Sequence, residues 1–265
     1  MKTIQNTLEP IGTLKSRIKY RYEAPRQGVL AGESESFIRL NSGMNFTEAL
    51  KGLDGFSRIW VIYGFHLNQN WKPLVTPPRN DGKKIGVFAT RAPYRPNQIG
   101  LSCVKLLRID KLKIYISESD ILDGSPVYDI KPYLPYSDSF PDSETGWVKT
   151  NPEESYNVVF VDAAAKQTEW LWKKGGANLD NYSRVQLSFN PRDVKRKRIK
   201  KAESGESQFV LAYRTWRILY DVDDEKREVS VLKIFSGYSP GELREAGNDK
   251  YQDKILHSDF VKKFK

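Results

Sequence analysis

The first half of the chain alternates short apolar runs with turn-forming residues. Residues 11–16, 36–40, 58–66, 85–90, 101–108, 112–117 and 125–131 are rich in Val, Ile, Tyr or Trp, and Gly, Pro, Asn and Asp separate them. This pattern predicts β-strands joined by turns. Residues 58–65 are almost continuously apolar, which predicts a strand covered on both faces. Only residues 46–51 read as helical here, with Asn45 available as a cap. Many short strands without long helices between them predict a barrel or sandwich, not a parallel βαβ sheet.

The pattern changes after residue 131. Prolines at 132, 135, 141 and 152, with few apolar positions from 137 to 154, predict a loop that ends at a domain boundary. Residues 162–174 predict a helix capped by Asp162, with Lys173 and Lys174 at its negative end and Gly175-Gly176 as its stop. A shorter helix is predicted over 180–189. Residues 208–220 and 228–235 read as a hairpin across the acidic turn 221–227. Beyond Gly237 the chain turns polar, and Ile255, Phe260, Val261 and Phe264 allow a terminal helix. The predicted architecture is a mainly β N-terminal barrel, 8–150, then a smaller α+β domain, 155–237, then a polar C-terminal tail, 238–265.

Composition removes several function classes. The chain has 265 residues, 39% hydrophobic and 12% aromatic, enough to bury a sizeable core. Its apolar runs fall far short of the roughly 20 residues that span a bilayer. The first six residues have no apolar stretch, so neither a secretory signal nor a membrane partner is expected, and the location expected is cytoplasmic. A single cysteine, Cys103, excludes an intramolecular disulfide, and with only His66 and His257 beside it no metal centre is expected. The chain lacks G-x-G-x-x-G, the P-loop and G-x-S-x-G, so a dinucleotide, P-loop or serine-hydrolase site is unsupported.

Charge adds a partner class. The net charge of +10 suits an anionic partner. Its sharpest cluster runs from Arg192 to Lys201 and includes Lys195, Arg196, Lys197 and Arg198, with Asp193 as its one acid. A basic run is as often a solvated loop. The many aromatics tip the reading towards nucleic acid, because unpaired bases stack on exposed rings.

Three segments place polar and turn residues beside apolar strands: 24–28, 88–101 and 120–133. Each reads as a rigid loop, since proline fixes φ and Gly100 and Gly124 permit tight turns. Arg91, Arg95 and Asp123 either tie these loops together or form a binding site at one end of a barrel.

These segments carry a resemblance to the TsaA-like (TrmO) family of S-adenosylmethionine-dependent tRNA methyltransferases. The chain has Pro25-Arg26-Gln27, Phe65-His66, Gly86-Val87-Phe88-Ala89-Thr90-Arg91, Arg95-Pro96-Asn97, Ile99-Gly100, Asp123-Gly124, Pro126-Val127 and Asp129-Ile130-Lys131-Pro132-Tyr133. Order and spacing fit the family from about residue 9 to 136. Gln98 replaces a proline, Ala92 a serine and Ser125 a threonine. In the second domain a D-P-R-P segment becomes Asn190-Pro191-Arg192-Asp193.

The resemblance implies a β-barrel enzyme, usually a homodimer, that methylates N6 of threonylcarbamoyladenosine next to the anticodon of tRNA. The cofactor-contacting positions it implies are Pro25, Arg26, Gln27, His66, Leu67, Arg91, Leu101, Ile121, Leu122, Asp123 and Gly124. Arg91, Arg26 and Gln27 are donors suited to a cofactor carboxylate, and Leu101, Ile121 and Leu122 suit adenine cover. Arg95 and Lys131 are candidates for gripping the threonine carboxylate. Arg192, Lys195, Arg196, Lys197 and Arg198 are candidates for tRNA phosphates. His66, Asp129 and Tyr133 could each serve as a general base by type, and the sequence does not select among them. The alternative is a nucleic-acid- or ligand-binding barrel without catalysis.

Overall fold

The computed structural model describes residues 7–25, 28, 34–77, 83–148, 155–203, 205, 207–245, 247 and 249–264. Its contacts divide the chain into two compact units, Met1–Thr150 and Asn151–Lys265.

In the first unit, among the described residues, six strands close a barrel in the order β1-β2-β7-β6-β3-β8. The strands are β1 (Gly12–Lys15), β2 (Ser36–Leu40), β3 (Arg58–Gly64), β6 (Ile99–Asp110), β7 (Lys113–Ser117) and β8 (Pro126–Pro132), and every pairing is antiparallel. Leu14, Ile38, Ile59, Val61, Val104, Ile114 and Ile116 are fully buried at alternate positions and meet in one core. Each contributes about 1.5–3 kcal/mol by leaving water. The alternation leaves the other face of each strand outward. Gly100 is fixed by this packing, because a Cβ there would lie 2.4 Å from the Tyr63 ring.

Residues 58–65 alternate after all. Ile59, Val61 and Tyr63 face the core, while Trp60 is covered from outside. Its indole donates to Asp138 at 2.9 Å and its ring meets Tyr133. Asp138 ends α2 (Pro135–Asp138), a short helix inside the stretch predicted to be loop. The predicted strand 85–90 is also shorter. Only β5 (Ile85–Gly86) pairs, with β4 (Leu74–Val75), and Val87–Ala89 closes a 3-10 turn. Cys103, on β6, is half buried. Residues 46–49 form the predicted helix, α1 (Phe46–Ala49), and Asn45 precedes it without a side-chain cap bond.

In the second unit five strands form a sheet in the order β10-β11-β12-β13-β9. They are β9 (Asn157–Phe160), β10 (Ile199–Lys201), β11 (Gln208–Tyr213), β12 (Trp216–Asp223) and β13 (Glu228–Ser236). The predicted strand 208–220 is itself a hairpin. Arg214 turns it in the left-handed region, φ 51°. Helix α3 (Asp162–Gly175) packs on β13, and α4 (Leu179–Leu187) packs on α3 and β9. Asn178 caps α4 by accepting from the Asn181 N–H, and Asp162 sits inside α3 rather than capping it.

Residues 238–264 are more than a polar tail. They carry α5 (Pro240–Arg244), started by a Ser239–Glu242 capping box, and α6 (Lys254–Lys263), which packs on α3 and β13. His257 of α6 is fully buried, and its ring stacks 3.5 Å from that of Trp216. Among the described residues no helix is long and apolar enough to cross a membrane.

Candidate active site

Segments distant in sequence converge on the turn that follows β7. Asp120 lies at its centre. Ser102 of β6 donates to Asp120 Oδ1 at 2.6 Å, and the Tyr63 hydroxyl lies 3.4 Å from Ser102 Oγ. Burial raises the Asp120 carboxyl above the usual carboxylate range, opposed by the Ser102 hydrogen bond and the positive charge of Arg91. The Tyr63 hydroxyl is pushed up, first by burial and then by Asp120. Gly28 packs on the same turn, where a Cβ would meet the Glu118 carbonyl at 2.3 Å. The first, second and third motif segments thus meet around one half-buried carboxylate.

The rest of the turn faces the end of β3. The Ser16 N–H donates to Asp123 Oδ1 at 3.0 Å, and the Asp123 N–H donates to the Ile18 carbonyl. Gly124 takes φ 80°, left-handed backbone that favours glycine. A Cβ on it would sit 3.6 Å from His66 Nε2, and Ser125 Oγ lies 3.2 Å from His66 Nδ1. Partial burial holds the His66 imidazole below its ordinary value, against the pull of Asp123. The ring is therefore neutral at pH 7 and has a nitrogen able to accept a proton.

The loop of the second segment is braced from several sides. Buried Asn68 donates to the Pro93 carbonyl at 2.6 Å and accepts from Arg21 at 2.9 Å. Arg95 donates to the Thr90 carbonyl at 2.8 Å and to the Val87 carbonyl at 3.3 Å. Trp147 donates its indole N–H to the Ala89 carbonyl at 2.8 Å. On this rigid turn Phe88 is 75% exposed. Asn68 and Asp120 were not singled out from sequence. Asp120 opens the Asp120–Gly124 run, so its place in the motif was a usable signal, whereas Asn68 offered none.

The predicted residues divide as follows. His66, Asp123 and Gly124 lie together, and Arg91 is exposed and close enough to Asp120 to lower its pKa. Leu67 and Leu101 present apolar surface, Leu101 at 57% exposure. Leu122 is half buried and its carbonyl accepts from the Ser125 N–H. Ile121 is buried in the barrel core, so its backbone alone can reach a ligand. Pro25 is buried, and Arg26 and Gln27 lie outside the described residues. Lys131 pairs with Asp129 at 3.0 Å, opposite Trp60 on β3. The Tyr133 N–H bonds the Arg58 carbonyl at the start of β3, about 20 Å along the strand from its Gly64 end, beyond which His66 lies. The structure therefore does not bring Lys131 or Tyr133 to the His66 end.

In the second unit, Arg192 donates to the Val222 carbonyl at 2.9 Å and pairs with Asp224 at 3.0 Å. Arg196 clamps the Gln186 carbonyl at 2.8 Å and the Gln186 side chain. Lys195 and Lys197 are exposed, and Arg198 is half buried.

A family model described as the tRNA-methyltransferase O N-terminal domain matches residues 13–139. A tRNA (adenine(37)-N6)-methyltransferase of Escherichia coli is 34% identical over 232 residues, covering 85% of this chain and 97% of that protein. A Pseudomonas aeruginosa relative, named as an S-adenosylmethionine-dependent methyltransferase, is 38% identical over 167 residues, covering 62% of this chain and 69% of that protein. The crystal structure of TrmO from Pseudomonas aeruginosa aligns with TM-score 0.64 and 26% identity over 88% of this chain and 99% of that chain. Barrel, motif residues and near full-length relatives agree, and the chain belongs to the tRNA (adenine(37)-N6)-methyltransferase family, TrmO.

Proposed function

We propose that this protein transfers the methyl group of S-adenosylmethionine to N6 of the adenine next to the anticodon of tRNA, and that the adenine carries a threonylcarbamoyl group. The observation that carries the reading is the convergence of the motif segments on Asp120, Asp123, Gly124 and His66, joined to the names of the relatives.

The residues fit such a cofactor. Arg91 is a donor for its carboxylate. The carboxylates of Asp120 and Asp123 complement its cationic groups, and Leu67, Leu101 and Leu122 supply apolar cover. Gly28 and Gly124 leave room that a side chain would fill. When bound, S-adenosylmethionine supplies a methyl already activated by its sulfonium. The chain's work is then to align N6 with that methyl and to remove one proton. Transfer of that methyl to N6 would leave one N6 proton for the chain to accept. His66, neutral and open to solvent, is the group we assign to accept it at Nε2. Phe88, exposed on a braced turn, is suited to stack on the displaced base.

The second unit, with Lys195 and Lys197 exposed beside Arg192, Arg196 and Arg198, supports a role in holding tRNA phosphates. The enzyme acts as a homodimer in this reading. The test compares methyl transfer from labelled cofactor to native tRNA and to the same tRNA from cells lacking the carbamoyl modification. Labelling of native tRNA alone is expected, because a site that pairs a charged group disfavours the analogue lacking it. Equal labelling would overturn the threonylcarbamoyl specificity, and labelling of neither would overturn the activity.

A further inference from the structure

The outward face of β1, β2, β7 and β6 carries an arrangement that neither the fold nor the methyl-transfer site requires. Two cross-strand rows run over it. In one, Lys15, Phe37, Tyr115 and Arg108 lie opposite one another in turn. In the next, Arg39 of β2 lies directly opposite Lys113 of β7. Like charges directly opposite across strands destabilise a sheet. On its other side Lys113 lies opposite Asp110 of β6, which offsets part of that repulsion and leaves this row with two cations and one carboxylate.

The rings between the cations do not offer free faces. The Arg108 guanidinium lies 3.6 Å from the Tyr115 ring centroid. Arg39 and Lys113 lie 5.8 and 5.6 Å from the Phe37 centroid. Each ring thus has the charged group of at least one cation set against it. Beside these rows lies a groove of about 750 Å³ lined by Lys15, Arg39, Lys111, Lys113 and Asp110. Arg108 is also held by Glu35 in a forked ion pair, at 2.5 and 3.1 Å. Among the described residues, five cations thus face two carboxylates. The rows span three strand spacings, about 14 Å, which covers several charges along one nucleic-acid strand.

We propose that this face of the barrel is a docking surface for RNA phosphates, which the tRNA backbone occupies while its modified base reaches the site. This rests on the tRNA reading above and adds a second contact surface to the basic run of the other unit. Charge complementarity selects the occupant. Phe37 and Tyr115 are half buried as well as set against cations, unlike the open Phe88 ring, so among the described residues this face offers partners for phosphates rather than a platform for stacked bases. A second copy would set the same cations against one another.

The test uses the full-length chain with Lys15→Gln, Arg39→Gln and Lys113→Gln combined. Affinity for tRNA is measured across a salt series by fluorescence anisotropy, with cofactor calorimetry and thermal melting as controls. Wild type should bind with a steep salt dependence. The triple variant should bind at least about tenfold more weakly near 0.15 M salt, with a log–log slope lower by about two units. Its cofactor affinity should be unchanged and its melting temperature close to that of wild type, because the Arg39–Lys113 repulsion and the Lys113–Asp110 attraction are lost together. If the triple variant does not fold, Arg39→Gln alone should lower the slope by about one unit. Unchanged slope and affinity in a folded variant that still binds cofactor would overturn this surface and leave the tRNA reading standing. A change in sedimentation without a change in slope would instead make the face a contact between copies. Wild type that binds cofactor but no tRNA would remove both readings.

Discussion

At the scale of single residues, Asp120 shows how burial turns an ordinary carboxylate into a special one. Its carboxyl is raised above the reference value of 3.8 because burial disfavours the ion. A group raised on folding adds stability that is present below the unfolded value and is lost as pH rises through the folded value. Ionised Asp120 therefore costs stability at neutral pH. Asp120→Asn, which can still accept from Ser102, should raise the melting temperature at pH 7 more than at pH 4. Melts across that range check this, and a clear drop at pH 7 would mean that the ion stabilises the fold. The motif placed Asp123 and Gly124 in the sequence reading. The head of the same run was a usable signal for Asp120, but not for the surroundings of its carboxyl, because Ser102 and Tyr63 reach it only through strand pairing.

At the scale of elements, the largest departure from the sequence pattern is the C-terminal helix. Its composition is polar, yet α6 is tied down by His257, which combines three kinds of contact. The ring stacks on Trp216, Nδ1 lies 2.8 Å from Ser236 Oγ, and Nε2 lies 2.8 Å from Thr215 Oγ1. Thr215 donates in turn to Asp253 at 2.6 Å, and Tyr238, its hydroxyl pushed up to about 12 by burial and Asp253, donates to the other Asp253 oxygen at 3.2 Å. His257→Ala would leave a cavity beside Trp216 and strip a partner from each of two half-buried hydroxyls, Thr215 and Ser236. The expected loss is about 3 kcal/mol or more in denaturant unfolding followed by tryptophan fluorescence. His257→Phe, which keeps the stack, should lose less. A loss under about 1 kcal/mol for the alanine variant would mean that α6 is held by other contacts. The apolar positions 255, 260, 261 and 264 allowed this helix in the sequence, but not what secures it, because His257 and Asp253 are polar and their partners lie beyond α6, on β12, β13 and the turns beside them.

At the scale of the whole molecule, the basic excess is not one undifferentiated patch. Within the run 192–198, Arg192 and Arg196 are committed to carbonyls and to Asp224 or Gln186, while Lys195 and Lys197 are exposed. Replacing both lysines with glutamine should lower the salt slope of tRNA binding by about one to two units without changing the melting temperature. Arg196→Ala should instead lower the melting temperature, because it leaves the buried ends of its hydrogen bonds unpaired. If the lysine variant binds tRNA with the wild-type slope, the run is a solvated loop.

The sequence by itself determined the class of the first unit. Alternating apolar positions of period two require inward and outward faces, and short strands with glycine and proline turns close readily into a barrel. It also determined the family, because Gly86–Arg91, Asp123–Gly124 and Asp129–Tyr133 stand in order at fixed spacing. Tertiary structure alone decided which of those residues meet. Strand register sets Ser102 against Asp120 and His66 against Ser125, and it carries Lys131 and Tyr133 away along β3. It also decided the face of each outward cation. Arg39 and Lys113 are 74 positions apart, and only the pairing of β2 with β7 makes them neighbours.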